Sequence, residues 1–153
     1  MNFFWTQPLL IATLTLLAPT TEPTSQPSTT PAQSRFEGEW PARLLPPTDS
    51  GDQPFADKLV FKDGNFYSEH FRALGHEPES FVERKEKLPE TFGGPTSAVV
   101  VDVNSKGKGG DTLKWHFTYA PPYVKGTLEW TQIGAAEVHK FDVVFDAWGE
   151  PGF

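Results

Sequence analysis

Four histidines hold most of the chemistry open to this 153-residue chain: His70, His76, His116 and His139. An imidazole changes charge near neutral pH, so beside a suitable partner it can act as a general base or bind a metal. For His70 that partner is Asp57, and a His–Asp pair could accept a proton. No Ser or Cys can be placed beside the pair as a nucleophile. We therefore expect a non-catalytic protein, and rank a small hydrolase or isomerase using His70 and Asp57 last of three functions.

The other histidines predict less chemistry. His76 could hold a metal together with Glu77 and Glu79, but a charged loop of this kind is most often only solvated, so we expect no metal. His116 is expected opposite Thr127 on an outer sheet face, where a single exposed imidazole is most often inert. The sequence has no nucleophile elbow, His-Glu-x-x-His motif, phosphate-binding glycine loop or dinucleotide fingerprint, and we expect no cofactor.

Composition excludes further classes of protein. The chain has 20 acidic against 13 basic residues and a net charge of −7, whereas nucleic-acid phosphates require a concentrated basic patch. We therefore expect no nucleic-acid partner. The absence of cysteine excludes a disulfide scaffold, a cysteine nucleophile and a thiolate zinc site. The length fits one domain, which we expect to be monomeric.

The elements that must position these residues are β-strands. From Arg35 onward the chain is rich in Phe, Trp, Val and Thr and is interrupted at short intervals by Gly, Pro, Asn and Asp. The predicted strands are 37–44, 57–62, 65–70, 79–86, 97–104, 112–120, 123–133 and 138–148. Because closure removes exposed strand edges, we predict an all-β fold, an antiparallel up-and-down barrel of about eight strands.

Three tight turns, at 63–64, 121–122 and 135–136, set the strand registers. The cross-strand pairs they predict include Phe61–Phe66, Trp115–Leu128, Trp130–Phe141 and Gly126–Phe145. All three registers place apolar side chains on one face, and a shift by one residue would turn every side chain over. The predicted inward residues are Leu59, Phe61, Phe66, Leu113, Trp115, Phe117, Tyr119, Leu128, Trp130, Phe141 and Phe145.

One end of this barrel is predicted to be the mouth. Successive strands run in opposite directions, so loops 45–56, 71–78, 105–111 and 134–137 share an end, and two of them are long. The predicted ligand-binding residues are Asp57, His70, Trp115, Trp130, Gln132 and His139. Aromatic walls with a few polar rim groups suit a small apolar or aromatic ligand. Alternatively, the polar side chains bond to one another and only seal the end.

A barrel of eight strands is near the size at which side chains either fill the interior or leave room for one small molecule. The first predicted function is therefore a non-catalytic exported barrel that binds a small apolar or aromatic ligand at its mouth. The alternative is an envelope or surface interaction module with a filled barrel and no ligand. Aromatic side chains bury ~150–250 Å² each, so their content permits both outcomes.

The N-terminal segment predicts export. Residues 1–18 form an apolar stretch that is too short for an ordinary ~20-residue membrane span but suits a signal peptide. Residues 19–34, rich in Thr, Pro and Ser, are a predicted disordered linker, and residues 35–153 are the barrel domain. We expect a periplasmic or extracellular protein, in contact with a membrane only if residues 1–18 stay uncleaved as a weak anchor.

Three stretches carry a resemblance to a known family: Gly38-Glu39-Trp40, LVFKDGNFYSEH and GTLEWTQIGAAEVHKFDVVF. The first resembles the Gly-x-Trp that opens the first lipocalin strand. Over residues 37–148 the chain resembles calycin and lipocalin-like small barrels, and most closely a group of short exported bacterial proteins of uncharacterised role. The resemblance implies a small barrel with a pocket and a structural role for Trp40. The chain departs from lipocalins in lacking their disulfides and an Arg near the last strand.

Overall fold

The structure, a computed structural model, describes residues 34–90, 94–134 and 137–146. Within these residues, nine strands form one antiparallel sheet and a single short helix interrupts them. The strands are β1 Gly38–Leu45, β2 Phe55–Lys62, β3 Asn65–Ser68, β4 Glu79–Ser80, β5 Glu83–Lys87, β6 Ser97–Lys106, β7 Thr112–Ala120, β8 Tyr123–Thr131 and β9 Val138–Phe145. The helix is α1, Glu69–Ala73.

The predicted N-terminal regions are not part of this description. The signal segment 1–18 and residues 19–33 of the linker lie outside the described residues, as do 147–148 of the last predicted strand. In the part of the chain that the structure covers, no helix combines the length and apolar character needed to cross a membrane.

The sheet is curled into a barrel-like shape. Its strand order is β4-β3-β2-β1-β9-β8-β7-β6-β5, so β4 and β5 lie at opposite edges. Only Phe81 and Val82 separate these edge strands in the chain, and three Cα-to-Cα steps span at most about 11 Å. The edges therefore come close together, and β4 also lies beside β6. The predicted all-β, antiparallel, up-and-down architecture is confirmed.

The predicted strand 79–86 is two strands, which raises the number from eight to nine. Its first part, β4, pairs with β3, whereas its second part, β5, pairs with β6. Phe81 packs against the core at the change of partner, and Val82 is 75% exposed. Because the segment changes partners here, the alternation of side chains along it gives no single apolar face.

Two of the three predicted registers are confirmed, and the third is wrong by two residues. Phe61 pairs with Phe66 and Trp115 with Leu128, as predicted. In the third hairpin the observed pairs are Leu128–Phe141, Gly126–Val143 and Glu129–Lys140. Gly134, with φ +73°, adopts the left-handed conformation, one residue before the predicted turn at 135–136, which lies outside the described residues. A shift of two residues preserves the faces.

Aromatic rings fill the interior. Phe66 on β3 reaches across to Trp115 and Phe117 on β7, with ring centroids 5.3 Å apart in both pairs. Phe61 on β2 also contacts Phe117, at 5.2 Å. Gly126 makes room for this layer, since a Cβ there would lie 2.8 Å from both Phe117 and Val143. All eleven predicted inward residues are either buried or packed against the buried cluster, which confirms the face assignment.

Candidate functional site at the barrel mouth

Asp57 and His70 meet at the mouth, but not as a side-chain pair. The Asp57 carboxylate accepts hydrogen bonds from the backbone N–H of Lys58 at 2.7 Å, the N–H of His70 at 3.0 Å and the Ser68 hydroxyl. The His70 ring instead packs on Phe55, with centroids 4.5 Å apart. The carboxylate thus anchors the start of α1, and the general-base pairing considered for the third function does not describe this contact.

The other predicted mouth residues lie on β8 and β9. Trp130 and His139 are direct cross-strand partners, and their ring centroids are 5.7 Å apart. His139 Nδ1 lies 3.0 Å from a carboxylate oxygen of Asp52, which belongs to the β1–β2 loop. Gln132 follows the last residue of β8 and is exposed. The structure therefore brings Trp130 and His139 together and leaves Gln132 outside the barrel end.

Phe71 of α1 occupies the centre of the mouth. Its ring is fully buried and contacts a surrounding set of rings. Centroid distances from Phe71 are 5.1 Å to His70, 5.2 Å to Trp130, 5.8 Å to Trp115, 5.9 Å to His76 and 6.1 Å to Phe55. Three of the six predicted ligand-binding residues, His70, Trp115 and Trp130, thus contact Phe71 directly, and this side chain takes the place expected for a ligand.

The helix that carries Phe71 replaces the end of the predicted strand 65–70. Ser68 is its N-cap, because the hydroxyl accepts a hydrogen bond from the N–H of Phe71 at 3.1 Å. The acidic Glu69 in the first turn complements the helix dipole. Five helical residues are too few to produce a 3.6-residue hydrophobic pattern, so periodicity alone did not reveal them. The serine cap followed by an acidic residue was the available signal.

A Schellman motif ends the helix and positions His76. The N–H of His76 donates to the Phe71 carbonyl at 3.1 Å, and the N–H of Gly75 donates to the Arg72 carbonyl at 3.0 Å. Gly75 has φ +95°, a conformation that favours glycine. Its carbonyl accepts from the N–H of Lys108 at 3.3 Å, which ties this turn to the β6–β7 loop. The turn therefore directs the His76 side chain toward that loop.

The buried His76 and Ser105 and the partly buried Asp111 form a polar network, here named the inner array. His76 Nδ1 lies 2.7 Å from Ser105 Oγ, and His76 Nε2 lies 2.9 Å from Asp111 Oδ2. Trp130 Nε1 also donates to Asp111 Oδ2, at 3.1 Å. Partial burial raises the pKa of Asp111, but the hydrogen bonds from His76 and Trp130 outweigh it and leave that pKa below its ordinary value. The inner array joins the ends of β6 and β8 to both neighbouring loops.

The inner array corrects the prediction of a solvated charged loop at 71–78. His76 is only 3% exposed, and Glu77 pairs with Lys108 at 3.0 Å instead of with the imidazole. No group of three metal-ligating side chains occurs among the residues described. A cavity beside His76 measures about 10 Å³, which is room for about one water molecule. The array therefore has no space for a substrate and serves to stabilise the mouth.

A second histidine network lies on the outer wall, and we name it the outer array: Asp102, His116 and Thr118. Asp102 and His116 face each other across the β6–β7 ladder, with Oδ1 and Nδ1 2.7 Å apart. His116 Nε2 lies 3.2 Å from Thr118 Oγ1. The predicted pairing of His116 with Thr127 is confirmed. Sequence reasoning missed the contact with Asp102, although a hairpin loop of five residues at 107–111 places Asp102 directly opposite His116.

No protein-family model, no curated protein and no solved structure matches this chain. Fold and site together define a curled antiparallel β-barrel with a filled interior and a mouth sealed by a short helix.

Proposed function

We propose that this protein is an exported interaction module that acts through its outer surface, not by carrying a molecule inside its barrel. In this proposal residues 1–18 direct export. Residues 19–34 act as a spacer that holds the barrel away from the membrane. Its partner is a protein or glycan of the cell envelope. The resemblance to calycins then concerns the barrel scaffold and not their use of an interior pocket.

The filled interior carries this proposal. Rings from β2 and β3 meet rings from β7 across the barrel, as in the contacts of Phe66 with Trp115 and Phe117. At the mouth, Phe71 is fully buried between the walls. Sites for small molecules are usually cavities of about 300–1,000 Å³, whereas the cavity between Phe71, His76 and Trp115 measures about 10 Å³. This packing favours the interaction module over the ligand carrier.

The polar groups of the mouth also favour the interaction module, because they are already hydrogen-bonded within the protein. The Asp57 carboxylate is taken up by the start of α1, and Asp111 by His76 and Trp130. Binding a ligand through these groups would first break hydrogen bonds that each cost about 1–3 kcal/mol to leave unmade. Ligand binding at Asp57, His70, Trp115, Trp130, Gln132 and His139 stays a prediction, and the following experiment separates the two functions.

The test is titration of tryptophan fluorescence with small apolar and aromatic compounds, because Trp115 and Trp130 both contact Phe71. We expect no saturable change for the wild type. Phe71→Ala should open an apolar cavity and gain binding of benzene-sized compounds, which makes it the positive control. Phe71→Leu, a smaller change, serves if Phe71→Ala does not fold. Saturable binding by the wild type that Phe71→Leu does not strengthen would support the ligand carrier instead.

A second experiment addresses the partner. The full chain, cross-linked in its native envelope, should form a defined adduct that Phe71→Leu forms equally well. Substitution of exposed outer residues, such as Tyr123→Ser at 62% exposure, should reduce that adduct if the residue lies in the interface. Absence of any adduct from the envelope across cross-linkers of different chemistry would argue against the module.

Export has its own test. Fractionation of cells that produce the full chain should place the barrel outside the cytoplasm, and Leu16→Arg should retain it inside, because a charge in the apolar core disables a signal segment. The mass of the exported protein tells whether residues 1–18 have been removed. A wild-type protein found in the cytoplasm would contradict the export part of the proposal alone.

A further inference from the structure

The outer array combines a hydroxyl, an imidazole and a carboxylate in a specific order. Thr118 Oγ1 lies at Nε2 of His116, at 3.2 Å, and Asp102 Oδ1 lies at Nδ1, at 2.7 Å. Hydrolases with a hydroxyl nucleophile use this same order, in which the carboxylate fixes the tautomer that lets Nε2 accept the hydroxyl proton. We propose that the outer array hydrolyses small esters with an apolar acyl group, with Thr118 as the nucleophile.

Regular backbone holds all three side chains. Asp102 and His116 are opposite residues on β6 and β7, and Thr118 lies two positions beyond His116, so it projects from the same face. Arg84 of the adjacent β5 pairs with the second oxygen of Asp102, and its Nη1 also binds Glu86 at 2.8 Å. The array is therefore positioned by three neighbouring strands, which makes its geometry more reproducible than that of a loop.

The charge on Asp102 is maintained by the same neighbours. Partial desolvation raises the pKa of Asp102, but the hydrogen bonds from His116 and Arg84 outweigh it and leave that pKa below its ordinary value. The carboxylate is thus ionised at neutral pH and can stabilise an imidazolium at His116. This is the task of the carboxylate in a hydroxyl–imidazole–carboxylate triad.

Thr118 also lines an apolar groove. Its volume is about 400 Å³, and its lining residues are Leu88, Thr118, Ala120, Tyr123 and Lys125. A groove of this size accommodates a short acyl chain or an aromatic ring. Lys125 is the cross-strand partner of Thr118, so its ammonium can approach an oxyanion that forms at the attacked carbonyl. The groove therefore favours esters whose acyl part is apolar.

The reaction runs in two balanced steps. Thr118 Oγ1 bonds to the ester carbonyl carbon while its proton passes to His116 Nε2, and the carbon–oxygen bond to the alcohol then breaks as the alcohol takes that proton. A water molecule next gives a proton to His116 and attacks the acyl-threonine. The acid leaves, and the proton returns to Thr118. This inference goes beyond the proposed function, because it assigns a reaction to one part of the outer wall.

The experiment measures hydrolysis of p-nitrophenyl butyrate and p-nitrophenyl acetate by the full chain. Thr118→Val removes the hydroxyl at nearly constant shape, and we expect it to lower kcat/KM at least about tenfold, with a similar loss in His116→Gln. Thr118→Val keeps all four imidazoles, so its remaining rate measures unspecific catalysis by histidine. Thr118→Ser should restore turnover, and Thr127→Val, which changes a threonine on the same face, should leave the rate unchanged.

Covalent labelling gives an independent readout. A fluorophosphonate with a short alkyl chain should add to the peptide that contains Thr118, and mass spectrometry should detect no adduct in Thr118→Val. Equal rates in the wild type and Thr118→Val, or label on other residues only, would overturn the proposal. Neither outcome touches the proposed function, because the envelope adduct and the Phe71 experiments do not require the Thr118 hydroxyl.

Discussion

The inner and outer arrays contain the same three kinds of group in opposite surroundings. The inner array surrounds a histidine that is 3% exposed, whereas the side chains of His116 and Asp102 in the outer array are 49% and 44% exposed. The connections to the ring are also reversed. In the inner array the hydroxyl lies at Nδ1 and the carboxylate at Nε2, and in the outer array these positions are exchanged.

If the outer array reacts as we propose, this difference separates a structural from a chemical use of the same groups. In the inner array a lost hydrogen bond leaves a polar atom with little access to water, so we expect every member to stabilise the fold. In the outer array water replaces a lost partner at little cost, and an exposed ion pair contributes little to stability. An exposed array is, however, open to a substrate. We therefore expect substitutions to change stability in one array and reactivity in the other.

The largest contrast is expected between the two histidines. His76→Ala removes the partner of both Ser105 and Asp111 and leaves a buried void, so it should lower the free energy of unfolding by about 2–4 kcal/mol. Urea denaturation followed by tryptophan fluorescence measures this. A loss below about 0.5 kcal/mol, the usual limit for surface substitutions, would mean that the inner array does not stabilise the mouth.

The hydroxyl groups give the next contrast. Ser105→Ala leaves Nδ1 of the buried His76 without its partner, and we expect a loss of about 1–2 kcal/mol. Thr118→Val removes the corresponding hydroxyl from the outer array, where water takes its place, and should change stability by less than about 0.5 kcal/mol. Equal losses in the two variants, measured by the same urea titration, would contradict the contrast in burial.

The pH dependence of stability should distinguish the two carboxylates. The folded pKa values of Asp111 and Asp102 are both lowered, so each group stabilises the fold above its unfolded pKa of about 3.9. That stability is lost as the pH falls from about 4 through the folded pKa. Asp111→Asn should flatten this acid dependence even in 1 M salt, whereas the effect of Asp102→Asn should be visible only at low salt. Thermal melts between pH 2 and 6 measure both.

The smallest effect is expected for His116→Ala. The side chain is half exposed, and its hydrogen bond with Asp102 is surrounded by water, so the free energy of unfolding should change by less than about 0.5 kcal/mol. The same variant should lose ester hydrolysis. A variant with unchanged hydrolysis and a large loss of stability would reverse the roles that we assign to the two arrays.

The sheet could be predicted where tight turns fix the register. The turn at Asp63-Gly64 correctly set the pairing of Phe61 with Phe66, because few residues tolerate positive φ at both central positions. The third hairpin register is two residues off because the predicted turn is centred on 135–136, whereas the observed pairing of Thr131 with Val138 has its centre one position earlier. Its faces were nevertheless right, since the side-chain period of a strand is two.

The contacts of the inner array could not be predicted in the same way, whereas the contact between Asp102 and His116 of the outer array follows from the five-residue hairpin loop. His76 lies in the loop after α1 and Asp111 in the β6–β7 loop, and side-chain alternation along strands says nothing about loop conformation. The available signal is Gly75 shortly after the basic residues His70 and Arg72, a pattern that is typical of a helix C-terminus. For Phe71, the apolar residue itself was visible, but a helix of five residues is too short for its buried face to be recognised.

The junction at Phe81 and Val82 has a mechanical consequence. The barrel is a strip whose two edges are joined by these two residues, and β4, with two residues, is the shortest strand of the described sheet. If β4 and β5 moved apart, the strand-to-strand hydrogen bonds of the described sheet would stay intact, because these two edge strands are not paired with each other. We therefore expect local opening of the barrel to begin between β4 and β5. Amide hydrogens there should exchange fastest within the sheet, and water should reach the aromatic interior there first.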